Sequence, residues 1–248
     1  MKNYQKKAII LIFFGLYLNI HSIHSQSLKE TEVYNLYDKT VGKQNLDINN
    51  GLAYTDPYSS PNSNLYFDND TFEKGSLSYQ GQKYYDTFLK YDIYRDILIL
   101  NPQGGLLGFT GISLIKEKVE SFSIYNRKFV KLDKDQFHLT NFNSGYYEIS
   151  EHNSDFIFYT KHSKLMQKKI DDDRITYLFS KSSLYYLFYK KTLYQINNKS
   201  EILKIFPDQK KQINEFYLMN RDLKKNNQNQ FMENLMKYIN NSLSKQNK

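Results

Sequence analysis

Beyond the N-terminal segment the chain carries three histidines, His138, His152 and His162, and it has no cysteine anywhere. Zinc-type chemistry needs several nitrogen or thiolate ligands gathered at short, repeated spacing. No two of these histidines stand at such a spacing, so each is expected on a solvated turn. Asp171-Asp172-Asp173 is the densest acidic cluster. Oxygen-rich loops hold calcium, yet three consecutive carboxylates between Ile170 and Ile175, flanked by Lys168, Lys169 and Arg174, equally suit a hairpin tip. Asp68-Asn69-Asp70 begins like a calcium loop but lacks the glycine and the distal glutamate that complete one. Gly104, Gly105, Gly108 and Gly111 form a glycine-rich stretch. A phosphate cradle would run on into Lys-Ser/Thr and a helix; here an apolar strand follows, which favours a plain loop. Glu148 and Glu151 could serve as the carboxylate pair of a hydrolase if folding brought them together, and no nucleophile elbow or serine-triad signature accompanies them. The expectation is therefore no catalytic residue, no metal and no cofactor.

Tyrosine remains. Tyr84, Tyr85, Tyr91 and Tyr94 cluster in one predicted meander, and Tyr185, Tyr186 and Tyr189 in a predicted hairpin. A ring with a polar tip suits a binding surface, so these seven are the binding candidates. β-propensity enriches tyrosine as well, which leaves a purely structural role open for them.

The elements that must position these residues follow from periodicity. From about Gly75 the pattern alternates with a period of two. Gln80-Gly81 and Asp92 to Arg95 supply turns, and strands are predicted at 75–79, 84–91, 96–100, 112–115, 119–124, 129–132, 146–149, 156–159, 175–179, 184–189 and 193–196. About eleven short strands at regular spacing predict an antiparallel barrel-like domain or two packed sheets. Residues 26–65 read as irregular, because Asn49-Asn50-Gly51, Asp56-Pro57 and Ser59-Ser60-Pro61-Asn62 are turn punctuation. After residue 198 the pattern changes. Ser200 can cap a helical turn, Pro207 suits the start of the next helix, and Phe231, Leu235, Ile239 and Leu243 repeat every four residues. The fold class expected is α+β, a mainly antiparallel β domain over 66–197 closed by a C-terminal helical pair over 198–248.

The first residues address localisation. Lys2, Lys6 and Lys7 precede an apolar run from Ala8 to Ile20 and then a short polar stretch. That order is the secretory pattern. Thirteen residues fall short of the about 20 a membrane-crossing helix needs, so residues 1–25 are expected to be a cleavable signal peptide, cut after Ser25 or Ser27, with no transmembrane span thereafter. The remaining 223 residues are enough for a core without disulfide staples. The formal charge is +8, of which the three leading lysines supply 3. Export and interspersed acids argue against a nucleic-acid partner. A membrane barrel would end in a strand and show a continuous lipid-facing band, whereas this chain ends in a polar helical pattern.

Gly42-Lys-Gln-Asn45, Asn50-Gly51 and Tyr54, then Gly75-Ser-Leu-Ser-Tyr-Gln-Gly81-Gln with Leu89-Lys-Tyr-Asp92 and Asp96, then Leu203-Lys-Ile-Phe-Pro-Asp-Gln-Lys-Lys211, resemble a family of uncharacterised exported proteins of Bacteroidota-type envelopes. The resemblance covers nearly all of the chain after the signal. Its motifs are turns and packing positions, so it implies a periplasmic or outer-membrane-associated location and carries no activity. Three functions stay open at this point. One is a non-enzymatic envelope accessory or binding module with a protein partner; another is a carrier of an apolar ligand between sheet and helix; the third is a hydrolase using Glu148 and Glu151.

Overall fold

Three tight turns set the architecture. Gln80-Gly81, Tyr125-Asn126 and Lys190-Lys191 all have positive φ, the geometry of two-residue hairpin loops whose twist matches the strands they join. Only the first uses glycine, at Gly81, where the left-handed conformation is free of steric cost. The structure is a computed structural model that describes residues 22–42, 45–58, 60, 63–102, 111–137, 139, 142–153, 156–171 and 174–246. Residues 1–21 of the predicted signal and the glycines at 104, 105 and 108 lie outside the described residues.

The strands are β1 (Leu52–Ala53), β2 (Glu73–Tyr79), β3 (Gln82–Asp92), β4 (Ile97–Asn101), β5 (Ile112–Ser113), β6 (Val119–Ile124), β7 (Arg127–Leu132), β8 (Gly145–Asn153), β9 (Phe156–Asp171), β10 (Arg174–Tyr189) and β11 (Thr192–Gln195). They form one antiparallel sheet, in the order β1-β5-β4-β3-β2-β6-β7-β8-β9-β10-β11, that does not close. Two meanders thus run away from a central β2–β6 seam. The expectation of a mainly antiparallel β domain with C-terminal helices holds; the arrangement is a single open sheet.

Alternation sends Leu77, Tyr84, Leu89, Tyr91, Leu98, Leu100, Phe122, Phe129 and Tyr146 to one face, where they form the largest core. The Tyr91 and Tyr146 rings meet edge to face at 5.8 Å. Their strands, β3 and β8, are four strand spacings apart in the sheet. At about 4.8 Å per spacing, a flat sheet would hold them far out of contact. The sheet is therefore rolled, so that this inner face closes on itself around stacked Phe122 and Phe129, 4.7 Å apart.

On the same face farther along, Phe156, Phe158, Tyr185 and Leu187 receive the C-terminal helices α2 (Lys199–Ile205), α3 (Lys210–Met219), α4 (Arg221–Asn226) and α5 (Gln228–Gln246) through Ile202, Phe206, Ile213, Phe231, Leu235 and Ile239. Four helical segments stand where a pair was expected. Asn198, rather than Ser200, caps α2, accepting from the Glu201 amide at 3.0 Å while Glu201 reaches back to the Asn198 amide. A 3-10 turn from Pro207 to Gln209 then leads into α3.

Two differences from the sequence reading are local. Residues 22–41 form a helix, α1, where 26–65 reads as irregular; its polar composition leaves only a weak amphipathic pattern to detect. The Ser25–Ser27 segment of the expected cleavage site lies in its first turns. The strands expected at 175–179 and 184–189 are one, because Ser180-Lys-Ser-Ser183 stays extended and pairs with 162–165.

Candidate functional site

The outer face of the central strands is where the sequence leaves small polar side chains. Following the register, Tyr85 stands beside Ser76, then Ser123, Lys128 and Ile149 in one row; Lys83, Ser78, Ser121 and Val130 form the next. Each serine alternates along its strand with inward-facing core residues, so the strands that bury Leu77 and Phe122 present hydroxyls on their other side. The result is an open groove of about 1040 Å³ with a serine floor. Helix α1 borders it: Lys83 donates to Glu30 at 2.8 Å and the Tyr34 ring lies 5.9 Å from that of Tyr85. Ser78 donates to Glu120 at 2.6 Å, while Ser76, Ser121 and Ser123 have no hydrogen-bond partner among the described residues.

The same cavity is also lined from the inner-face side by charged and polar groups, Arg127 and Glu148 of the sheet and Gln230 and Glu233 of α5. Glu148 accepts from Arg127 and contacts His162 Nε2 at 2.6 Å; Arg127 also lies 3.6 Å from Glu233. Burial by itself would raise the Glu148 carboxyl, but the bond to His162 and the Arg127 guanidinium outweigh it and hold the group below its ordinary value. A carboxylate fixed in its charged form by two partners ties β7, β8 and β9 together, with Arg127 carrying the link on to Glu233 of α5, the reverse of a protonated general acid. In the β8–β9 register Glu148 pairs with inward-facing Thr160 and the Glu151 backbone with Ile157.

His162 is the main correction among the histidines. It lies in mid-strand on β9, buried, with the Phe67 ring 4.9 Å away, because β9 continues twelve residues beyond the predicted end at 159. His138 lies outside the described residues, and His152 falls within β8. Asp171 pairs with Arg174 at the β9–β10 turn, as expected of a hairpin tip, with residues 172–173 outside the described set. No group of metal-ligating side chains is found among the described residues.

The seven tyrosines do not assemble. Tyr84 and Tyr91 lie in the inner core, Tyr185 and Tyr189 under the C-terminal helices, Tyr186 in a cluster on the outer face with Tyr147, Tyr159 and Phe142, and Tyr94 beside Ile99 and Phe179. Burial raises the Tyr84 and Tyr185 hydroxyls to about 12. Only Tyr85 projects its half-exposed ring to the groove from the outer face. Adjacent residues such as Tyr84 and Tyr85 necessarily point apart. The serines, which abundance disguised, are the groove's floor; their alternation with Leu77, Phe122 and Tyr79 was the available signal.

A second, half-buried charge cluster centres on Asp96, in the turn between β3 and β4. Asp96 contacts Lys116 at 2.5 Å and Lys161 at 2.7 Å and accepts from the Tyr91 hydroxyl at 2.5 Å. Burial pushes Lys161 down, partly offset by Asp96, while burial pushes Asp96 up and is outweighed by the two lysines. No helix among the described residues is long and apolar enough to cross a membrane. No family model, curated protein or solved structure matches the chain.

Proposed function

We propose that the protein is an exported, envelope-located binding module and that its ligand lies along the serine-floored groove. The observation that carries this reading is the row Tyr85, Ser76, Ser123, Lys128 beside Ser121 of the next row, with the Ser76, Ser121 and Ser123 hydroxyls free to donate and accept. Such a floor suits an extended, uncharged, hydroxyl-bearing ligand, a short neutral oligosaccharide being the chemical class, with the Tyr85 face available for stacking. The N-terminal order of lysines, apolar run and polar stretch supports export, and so does the resemblance to exported envelope proteins.

The apolar-ligand reading draws less support, because the space inside the roll is occupied by Tyr91, Phe122, Phe129 and Tyr146. The groove is tested by titrating isotope-labelled protein with neutral oligosaccharides and following amide shifts. Shifts confined to β2, β6 and β7, and lost in a Ser121→Leu, Ser123→Leu variant, are expected. Saccharides that leave those amides unmoved across the panel would sink the reading.

A further inference from the structure

The outer edge of β9 has no strand beside it for much of its length. β8 pairs with β9 only from Phe156 to Thr160, whereas β10 accompanies it to Asp171. Residues 161–170 therefore present one edge of backbone N–H and C=O groups that no strand among the described residues satisfies. Residues 165–170 are all exposed. The corresponding edge of β10 is already engaged: Ser60 donates to the Tyr177 carbonyl at 2.7 Å, and the Phe179 amide donates to Ser63 at 2.8 Å.

The side chains along the free edge have a pattern. On the inner-face side run Lys164, Met166, Lys168 and Ile170; on the other run Leu165, Gln167 and Lys169. Leu165 and Ile170 are 63% and 72% exposed. Lys164 stands directly across from Lys181, a like-charge cross-strand pair that disfavours the isolated ribbon. Among the described residues Lys164, Lys168, Lys169 and Lys181 form no ion pair. In full antiparallel overlap two such edges would face Lys168 with Met166 and Lys169 with Leu165, and would gather the lysines of both copies in one ribbon with no acid among residues 164–170, so net charge opposes pairing with a second copy. The lysines favour an acidic strand instead.

We infer that the β9 edge from Leu165 to Ile170 is a docking site for an extended segment of a partner protein, added antiparallel as a further strand. The register dictates its chemistry. From the residue facing Ile170 to the one facing Leu165, it reads apolar, acidic, acidic, polar, apolar, apolar. This surface is separate from the groove and does not depend on what the groove binds.

The test uses the synthetic peptide Val-Glu-Glu-Thr-Val-Val, fluorescently labelled, and the whole protein. Saturable binding is expected, weakening several-fold between about 50 and about 500 mM salt as the exposed charges are screened. A Lys168→Glu, Lys169→Glu variant, folded by circular dichroism, should bind about tenfold more weakly. It should recover affinity for Val-Lys-Lys-Thr-Val-Val. Methylating alternate peptide nitrogens should abolish binding, since the ladder needs those donors. Binding that ignores the charge exchange, or survives the methylation, would overturn the inference. So would the absence of any binding, or a salt-stable dimer of the protein alone that Leu165→Pro disrupts, which would put a second copy on the edge.

Discussion

The two halves of the β9–β10 hairpin share one unbroken ladder and live in different surroundings. Near its base, Phe156, Phe158, Tyr185 and Leu187 are buried against α2, α3 and α5. Toward its tip, Leu165, Ile170 and Ile175 are exposed. Between them lies a short polar belt. Thr160, His162 and Lys164 point inward, all buried, and Lys161 points outward to Asp96. Backbone pairing is the same throughout, so the hydrogen-bond ladder does not decide where the hairpin is stable. Side-chain burial decides it, and a two-stranded ribbon without a covered face is marginal in water. The tip half is steadied at one point, where Tyr58 packs edge-on against Tyr177 and Phe179.

The largest effect should come from the base. Leu187 is fully buried, and Leu187→Ala removes its packing and leaves a cavity between β10 and the helices. A loss of about 2–5 kcal/mol is expected, read from denaturant unfolding. A loss below about 0.5 kcal/mol would mean that the helices do not depend on the sheet, and the contrast between the halves would dissolve.

The belt should come next. A side chain at Gly145 would run into the Asp96 carboxylate and the Lys161 ammonium. Gly145→Ala must displace one of two buried, paired charges, and about 1–3 kcal/mol of destabilisation is expected. In the double variant Gly145→Ala, Asp96→Ala most of the added cost of the alanine should vanish, because the nearest obstructing atom, Asp96 Oδ2, is gone. Strict additivity would show that the glycine serves the strand and not the ion pair.

Glu148 offers a test with a sign. Its carboxyl is held below the ordinary value of 4.5 in the folded protein, so on acidification the unfolded chain takes up a proton first. The stability it contributes is complete above about pH 4.5 and is lost as pH falls through the lower folded value. Glu148→Gln leaves Arg127 and His162 without their carboxylate and should cost about 1–3 kcal/mol at neutral pH. Its melting temperature should also fall less steeply than the parent's on acidification below about pH 4.5. Asp96 is likewise held below its ordinary value, 3.8, so the loss of its contribution begins at a lower pH than that of Glu148. Parallel curves for variant and parent would remove Glu148 from the belt's electrostatics.

Most of the sheet was legible because alternation is a local signal. The strands from Gly75 to Ile124 and the turn at Gln80-Gly81 follow from period and turn chemistry alone. The C-terminal stripe Phe231, Leu235, Ile239 likewise announced a helix that buries one side. What escaped depended on distance in space. Serines at 180–183 read as a break, yet the partner strand holds them extended. Lys190-Lys191 carries no glycine or asparagine to mark a positive-φ turn. His162, Glu148 and Arg127 lie on three strands, so no spacing reveals that they meet. The groove was hidden for a related reason: Ser76, Ser78, Ser121 and Ser123 are unremarkable one by one and become a floor only when β2 pairs with β6.

The smallest effect is the most informative about the tip. Ile175 pairs directly with Ile170 across the ribbon, and both are exposed. Exposed positions away from a core change stability within about 0.5 kcal/mol, so Ile175→Ser should leave unfolding almost untouched, against the large loss at Leu187 twelve residues along the same strand. Hydrogen exchange sharpens the contrast. Amides of 165–170 and 174–176 should exchange through local opening, well below the global free energy, while those of 185–188 should approach it. Peptide docked on the β9 edge should slow exchange at 165–170 and leave 185–188 unchanged. If Ile175→Ser destabilised the fold as much as Leu187→Ala, the tip would have to be packed against something in solution, and the free edge would not be free.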